Sequence, residues 1–324
     1  MIKKPLIIVT GPTAVGKTAV SIELAKKING EIISADSMQV YKYMDIGSAK
    51  IKPAEMEGIP HYLIDVLDPR EDFNVVKFKE IALQALEQIY SKGKIPIVVG
   101  GTGFYIQALL YDIDFTENAE DSKCRQELES LLKVHGNAYL HERLREVDSQ
   151  AASNIHPNNV KRVIRALEFF QSSGQKISEH NEAEKQKQSP FNFLYFVLND
   201  TRELLYERIN KRVDKMIEHG LVEEVIQLKA MGLTRDMVSM QGLGYKEIMA
   251  YLEGESTLEE AVTLLKRDTR RFAKRQLTWF RREKDVIWIN KEEYAYNECK
   301  IIDKMLSYIN QSIKQLDDDS MERK

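Results

Sequence analysis

Residues 11–18 carry the most specific chemical signal in the sequence. Their spacing, Gly11-x4-Gly16-Lys17-Thr18, is a full match to the phosphate-binding loop that joins a strand to a helix. In such a loop, backbone N–H groups and the helix N-terminus hold a diphosphate, the lysine adds positive charge and the threonine hydroxyl ligates Mg²⁺. The pattern does not distinguish ATP from another compact diphosphate ester. The predicted phosphate-binding residues are Gly11, Pro12, Thr13, Ala14, Val15, Gly16, Lys17 and Thr18.

Two further segments are expected near this loop. Asp36 follows the second predicted strand, and it faces the loop if that strand neighbours the first. Its carboxylate can bind Mg²⁺ or act as a general base, but capping of a following helix explains it equally well. The glycine turn at residues 100–105 follows the fourth predicted strand. There Thr102 either offers a hydroxyl to a substrate or belongs to a tight strand-to-helix connection.

Basic residues are concentrated locally. Residues 266–284 contain nine basic and two acidic side chains. At about 100° per residue, the basic ones fall on one half of a helix, and the apolar ones, together with Gln276, on the other. Such a face suits RNA phosphates, and a solvated charged surface is the alternative. On this face, Arg271, Lys274 and Arg275 are the residues predicted to bind RNA.

Two smaller basic clusters lie elsewhere in the chain. Lys161, Arg162 and Arg165 fall within about one helical turn of each other. Arg212 belongs to a group at residues 208–214 that opens a predicted helix. An arginine in that group can clamp a diphosphate with two hydrogen bonds, or it can form surface ion pairs with neighbouring carboxylates.

The patterns of apolar residues predict an α/β fold. Apolar, β-branched runs at residues 6–9, 31–34, 61–66 and 95–99 are typical of buried parallel strands, and amphipathic helical stretches separate them. Residues 119–173 are helical in pattern, residues 178–188 read as a loop or frayed helix, and strand character returns at 193–198 and 286–289. We therefore predict a P-loop-containing parallel sheet flanked by helices, with an all-α insertion domain. The predicted parts are a catalytic core over 1–115, the insertion over 116–190, the resumed core with the basic helix over 191–315, and a disordered tail over 316–324.

The composition excludes several classes of protein. The 324 residues carry a net charge of −3, so the chain is not globally polycationic, although a nucleic-acid partner stays open. Two cysteines cannot form a disulfide framework or supply a four-ligand zinc site by themselves, and the six histidines are scattered. No apolar stretch approaches the ~20 residues that span a bilayer, and no signal-peptide pattern is present. We expect no membrane association and a reducing, cytoplasmic setting.

Six motifs, in order, resemble the tRNA dimethylallyltransferase family, which is also called the tRNA isopentenyltransferase family. They lie at residues 11–18, 35–41, 46–50, 99–105, 159–168 and 241–247. Ser48 stands where the family usually has threonine. No Cys/His cluster follows residue 290, so the chain resembles the bacterial form.

The resemblance implies transfer of a dimethylallyl group from dimethylallyl diphosphate to N6 of the adenosine just 3′ of the anticodon in certain tRNAs. By the same resemblance, Thr13 and Lys17 contact the diphosphate, Arg212 clamps it, and Asp36 is the general base. With Mg²⁺ on Thr18, the predicted catalytic residues are Asp36, Lys17, Thr18, Thr102 and Arg212. The implied tRNA contacts are Asp36, Ser37, Met38, Gln39 and Thr102 at the acceptor base, and Val160, Lys161, Arg162, Val163, Ile164 and Arg165 at the anticodon stem-loop.

Two other functions stay open at this point. A P-loop kinase that uses ATP on a small molecule or nucleotide explains the loop equally well, but not the basic helix. A non-catalytic RNA-binding protein leaves Asp36 without a role. We expect a monomer, and residues 241–247 receive no assigned role.

Overall fold

The computed structural model describes residues 3–113 and 122–321 of the chain. Within these residues, the strands are β1 (Lys4–Thr10), β2 (Gly30–Ala35), β3 (His61–Tyr62), β4 (Ile95–Gly100), β5 (Phe191–Asn199) and β6 (Val286–Asn290). These six strands are parallel and form one sheet in the order β3-β2-β4-β1-β5-β6. The predicted α/β class with a parallel sheet is confirmed.

Strand β4 lies between β1 and β2. Its Ile97 is in register with Ile7 of β1 on one side and with Ile32 of β2 on the other. The second strand therefore does not neighbour the first, so the condition under which Asp36 was expected to face the loop is not met. The crossover connections and not the order along the chain decide which strands pair. Strand β3 is shorter than predicted, since Leu63 and Asp65 have φ angles of 62° and 55°, which do not fit a strand.

The described residues also contain α-helices. They are α1 (Lys17–Ile28), α2 (Val75–Ser91), α3 (Gly103–Leu110), α4 (Ser122–Val147), α5 (Ser149–Asn154), α6 (Val160–Ser173), α7 (Ile177–Lys185), α8 (Arg202–Glu218), α9 (Leu221–Ala230), α10 (Tyr245–Leu252), α11 (Leu258–Phe280) and α12 (Glu298–Met321). None of the helices in the described residues is long and apolar enough to cross a membrane. Helix α12 continues to Met321, whereas we expected disorder from residue 316. Residues 322–324 of that predicted tail lie outside the described residues.

The chain forms two compact units. One consists of Met1–Leu110 and Pro190–Lys324, and the other is Tyr111–Ser189. The range predicted as the insertion, residues 116–190, overlaps the second unit, and the predicted domain bounds stay a prediction. The predicted boundary between residues 115 and 116 lies outside the described residues.

The sheet of the first unit is buried on both faces. Strand β2 is buried at every position, which explains why its sequence does not alternate between apolar and polar residues. Ile7 and Val9 of β1 pack with Phe196 of β5, while α1 and α12 add Leu24 and Met305 to the same core. Because the strands are parallel, their carboxyl ends meet at one edge, and this rigid core positions the loops there.

The second unit, in its described residues, is helical. Helices α4, α5 and α6 share an apolar cluster that includes Leu128, Leu144 and Leu167. Gly136, with φ 79° and ψ 177°, interrupts the helical backbone within α4. Asp148 begins α5 by accepting a hydrogen bond from the Ala151 N–H at 2.8 Å, the usual role of an N-cap aspartate.

Candidate active site

The phosphate loop follows β1 and leads directly into α1. Gly11 has φ 145°, and a Cβ at this position would overlap the carbonyl oxygen of Leu198 on β5. Gly16 has φ 97° and Ala14 has φ 64°, so the loop turns through two left-handed positions before α1 begins at Lys17. The first N–H groups of α1 have no partner within the helix, and they add partial positive charge at the loop. The loop thus has the geometry of an anion cradle.

Lys17 lies over this cradle. Its Nζ donates to the carbonyl oxygens of Gly11 at 3.0 Å and Pro12 at 2.9 Å. Burial lowers the Lys17 pKa to about 8, the Asp36 carboxylate raises it, and the Arg212 guanidinium lowers it further. The ammonium is therefore held at a site where a bound anion would stabilise its charge.

Asp36, directly after β2, lies close enough to Lys17 and Arg212 to change the pKa of both. Burial lowers the pKa of Arg212, and the Asp36 carboxylate opposes that shift. Asp36 Oδ1 accepts hydrogen bonds from the backbone N–H groups of Met38 at 2.8 Å and Gln39 at 3.3 Å. The residues after Asp36 form turns and not a helix, so Asp36 does not cap a helix. It instead starts an Asp turn, whose hydrogen bonds fix the orientation of the carboxylate. Three predicted catalytic residues therefore come together, although β4 separates β1 from β2.

The glycine turn after β4 lies against the end of β2, directly before Asp36. The backbone N–H of Thr102 donates to the carbonyl oxygen of Ala35, the residue before Asp36, at 3.4 Å. Thr102 is half-buried and immediately precedes α3. The two interpretations of Thr102 are thus compatible, because the tight connection itself holds the Thr102 backbone against the residue that precedes Asp36.

Helix α11 packs onto this turn through side chains that the sequence analysis did not select. A Cβ on Gly101 would overlap the Gln276 amide, and a Cβ on Gly103 would overlap the Trp279 ring. Gln276 Nε2 donates to the Gly101 carbonyl at 2.9 Å, and its Oε1 accepts from the Thr13 N–H at 2.9 Å. One signal was available in the sequence, since Gln276 is a polar residue on the apolar half of an amphipathic helix. Because the Thr13 N–H is used in this way, only the Thr13 hydroxyl is left to meet a diphosphate.

The segment at residues 241–247 supports the loop that carries Ser48. The Tyr245 hydroxyl donates to Glu224 Oε1 at 2.8 Å and accepts from the Ser48 N–H at 3.1 Å. Glu224 also accepts backbone N–H groups from Asp45, Ile46 and Gly47. Burial raises the pKa of Tyr245 well above its usual value, with the Glu224 charge as the next cause. No sequence pattern singled out Glu224, a carboxylate in the first turn of α9.

The same loop holds Arg212. Arg212 Nη2 donates to the Ser48 carbonyl oxygen at 3.5 Å. The neighbouring carboxylates that offered an alternative pair elsewhere: Glu207 with Lys211 and Asp214 with Lys266. Arg212 is therefore placed beside Asp36 and Lys17 and not in a surface ion pair.

Residues 37–39 are half-buried around the turn that Asp36 starts. The Met38 side chain packs against Gly242, where a Cβ would come within 2.5 Å of the Met38 methyl carbon. Gln39 Nε2 donates to the Ala49 carbonyl at 3.4 Å. Ser37 is also half-buried. These contacts give Gly242 a packing role in the segment that had none assigned.

Two charged groups lie on the other side of the phosphate loop. Arg208 on α8 is paired with buried Asp200, and it donates to the Ala14 carbonyl at 3.5 Å. Lys291, after β6, is buried and donates from Nζ to the Val15 carbonyl at 3.3 Å. Val15 itself is fully buried, so only its backbone can meet a ligand. No sequence pattern indicated Lys291, because its proximity to the loop depends on the position of β6 at the far end of the sheet.

The basic face of α11 is smaller than predicted. Arg271, Lys274 and Arg275 are exposed on the helix. Arg271 also pairs with Asp268 at 3.4 Å. Two further cations of the face are directed to α8, since Lys266 pairs with Asp214 at 2.5 Å and Arg270 donates to Asn210 at 2.6 Å. The helix ends at Phe280, so the three basic residues after it do not belong to one helical face: Arg281, Arg282 and Lys284.

The predicted stem-loop contacts on α6 need a similar correction. Val163 and Ile164 are only 1% and 4% exposed, because they belong to the apolar core of the second unit. Their side chains are therefore not accessible to RNA. Val160 is half-buried, and the cations of this segment are exposed: Lys161, Arg162 and Arg165.

The fold and this site define a P-loop α/β protein with a carboxylate beside the phosphate loop and a basic helix packed on its rim. The profile of a family described as IPP transferase matches residues 39–283. The chain belongs to this family.

Individual relatives agree over nearly the whole chain. A tRNA dimethylallyltransferase of Lachnoclostridium phytofermentans is 62% identical over 306 residues, which is 94% of this chain and 97% of the relative. The crystal structure of the full-length tRNA isopentenylpyrophosphate transferase of Bacillus halodurans matches with a TM-score of 0.75 at 43% identity, covering 99% of this chain and 100% of that one. A eukaryotic dimethylallyltransferase captured acting on tRNA matches with a TM-score of 0.77 at 34% identity, covering 89% of this chain and 74% of that one. The predicted family and transferase class are confirmed, and the kinase alternative is not favoured.

Proposed function

We propose that this enzyme transfers the dimethylallyl group of dimethylallyl diphosphate to N6 of the adenosine 3′-adjacent to the anticodon in certain tRNAs, releasing diphosphate. One observation carries the proposal: Lys17, Asp36 and Arg212 are electrostatically coupled at the carboxyl edge of the sheet. Two cations beside an anion cradle suit a diphosphate leaving group. A carboxylate close to both cations suits a nucleophile that must lose a proton.

On the donor side, the reaction breaks the bond between the allylic carbon and the diphosphate oxygen, and the electron pair leaves with the diphosphate. The Lys17 ammonium, the Arg212 guanidinium and the N–H groups of the loop stabilise the charge that develops there. Thr18 is exposed in the first turn of α1, so its hydroxyl fits a Mg²⁺ ion that takes most of its other ligands from diphosphate and water. When bound, that ion neutralises further charge on the leaving group.

On the acceptor side, the exocyclic amine of adenine is a poor nucleophile, because its lone pair is delocalised into the ring. As the N6–carbon bond forms, Asp36 accepts the proton that N6 loses. The two backbone N–H groups that bind Oδ1 hold the carboxylate in place, which leaves Oδ2 to face the amine. Ser37, Met38, Gln39 and Thr102 surround this position and would line the acceptor base.

The target adenosine must leave its stack to reach a carboxylate at the edge of a sheet. The tRNA phosphates would bind to exposed cations on α11 in the first unit and on α6 in the second. The proposal places the enzyme in the cytoplasm as a monomer.

A labelling experiment tests the reaction. Unmodified tRNA is incubated with either prenyl-labelled dimethylallyl diphosphate or γ-labelled ATP. Prenyl label in the RNA is expected, with one label per target adenosine. Phosphate label on any acceptor would instead support a kinase, and no label in either reaction would support an RNA-binding protein without this activity.

Asp36→Asn tests the base directly. This variant keeps the shape of Asp36 but cannot accept the proton, so we expect kcat to fall by about 10²- to 10⁴-fold. The affinity for tRNA, measured by filter binding, should stay nearly unchanged. Asp303→Asn, an exposed position on α12, is the matched control and should keep full turnover. Full activity of Asp36→Asn would exclude the base role.

A further inference from the structure

The buried amide of Gln276 joins the two halves of the site. Gln276 lies on α11 and is 6% exposed. Its Oε1 accepts from the Thr13 N–H in the phosphate loop, and its Nε2 donates to the Gly101 carbonyl in the turn that carries Thr102, both at 2.9 Å. One side chain is thus bonded to the donor side and to the acceptor side of the site.

The chemistry of these two bonds requires an amide. A backbone N–H can only donate and a backbone carbonyl can only accept, so the orientation of the Gln276 amide follows from its partners. A carboxylate would place an oxygen against the Gly101 carbonyl, and a hydrocarbon chain would leave both backbone groups without this partner. Gly101 has no Cβ, and this allows the amide to approach so closely.

The position of this amide defines its role. Without the Thr13 bond, the loop loses a contact at a residue that meets the diphosphate. Without the Gly101 bond, the Thr102 turn can shift relative to the loop. In transfer between two bound substrates, a displacement of about 1 Å between the reacting atoms costs on the order of 10²-fold in rate.

We propose that Gln276 is a positioning residue that sets the distance between the diphosphate cradle and the acceptor rim. The proposal rests on the proposed function, because it assumes that the donor binds at the cradle and the acceptor at the rim. Both ends of the Gln276 amide are bonded to backbone groups, so its proposed effect is on alignment and not on substrate binding. Its loss is expected to lower kcat far more than it raises either KM.

The test compares Gln276→Met, which removes both hydrogen bonds, with Gln276→Glu, which keeps only the acceptor for Thr13. Thr278→Ala, on an exposed position of the same helix, is the control. Steady-state kinetics with dimethylallyl diphosphate and tRNA give kcat and both KM values. Rates are normalised to the sites counted by titration with inorganic pyrophosphate, so that unfolded protein does not enter the comparison.

For Gln276→Met we expect a fall in kcat of about 10²-fold with each KM within about threefold of wild type. Gln276→Glu should also lower kcat, because the bond to the rim is lost while the loop bond is kept. Unchanged kcat in both variants, or a rise in KM that accounts for the whole loss, would overturn the positioning role. Absence of prenyl transfer in the wild-type enzyme would overturn the proposed function instead, so the two failures are distinguishable.

Discussion

At Lys17, burial and the Arg212 charge act on the ammonium group in one direction and the Asp36 charge in the other. Burial and the Arg212 charge favour the neutral amine, whereas the Asp36 carboxylate favours the ammonium, and the resulting pKa is about 8. This balance has a functional consequence. In the proposed reaction, the Lys17 charge that would neutralise the leaving group is complete well below this pH and is lost as the pH rises through it.

The pH dependence of the reaction with dimethylallyl diphosphate should show the ionisation of Lys17. We expect kcat/KM for dimethylallyl diphosphate to decline above about pH 8, since that ratio follows ionisations of the free enzyme. Lys17→Arg keeps its charge at every pH used, so it should have lower activity but no decline near this pH. A decline that persists in Lys17→Arg would assign the ionisation to another group.

Asp36→Asn supplies a second measurement of the same balance. Removing the carboxylate removes the group that raises the Lys17 pKa, so the pH at which pyrophosphate binding weakens should move downward. Calorimetric titration with inorganic pyrophosphate measures this shift without turnover. No movement would mean that Asp36 and Lys17 are not coupled in solution.

How far single residues can be predicted from sequence depends on how local their surroundings are. The phosphate loop is recognisable because its glycines and Lys17 act within eight consecutive positions. Val163 and Ile164 are an opposite case. They belong to the motif that resembles the family, but the helical periodicity of α6 places their side chains in the apolar core of the second unit. Gln276 could have been suspected from its place among apolar residues, but its partners lie 175 and 263 positions away in the chain.

At the scale of elements, the strand order decides what surrounds the phosphate loop. Local patterns identify β1, β2 and β4 as strands, but not the insertion of β4 between the other two. That insertion brings the Gly101 turn next to the loop and creates the place where α11 packs. Short-range sequence patterns do not contain this information, because the pairing joins residues from distant parts of the chain.

Tyr245, the first residue of α10, stabilises the loop that carries Ser48. Tyr245→Phe removes the hydroxyl that donates to Glu224 and accepts from the buried Ser48 N–H. Leaving that N–H without its partner should lower the free energy of unfolding by about 1–3 kcal/mol. Both tryptophans, Trp279 and Trp288, belong to the first unit, so their fluorescence in a urea titration reports that unit alone.

A matched substitution separates this effect from the general change of tyrosine to phenylalanine. The Tyr43 side chain is 56% exposed, and Tyr43→Phe should change the free energy of unfolding by less than about 0.5 kcal/mol. Equal effects of the two substitutions would show that the buried hydroxyl network does not stabilise the unit.

At the scale of the whole molecule, a net charge of −3 conceals two cationic surfaces on separate units. Helix α11 exposes Arg271, Lys274 and Arg275 in the first unit, and α6 exposes three cations in the second. Electrostatic binding to RNA depends on such local surfaces and not on the overall charge. The two units can therefore contribute to tRNA affinity even though the chain is slightly acidic.

The salt dependence of tRNA binding measures each surface separately. Each cation that contacts a phosphate adds about 1 to the slope of log K against log salt concentration. Replacing the three α11 cations by glutamine should reduce the slope by about 2 to 3, and so should replacing the three on α6: Lys161, Arg162 and Arg165. If both surfaces bind the same tRNA independently, the combined variant should lose the sum of the two contributions. A control that replaces three other exposed lysines, Lys27, Lys300 and Lys304, should keep the wild-type slope. If the α6 substitutions also left the slope unchanged, the second unit would not belong to the proposed tRNA-binding surface.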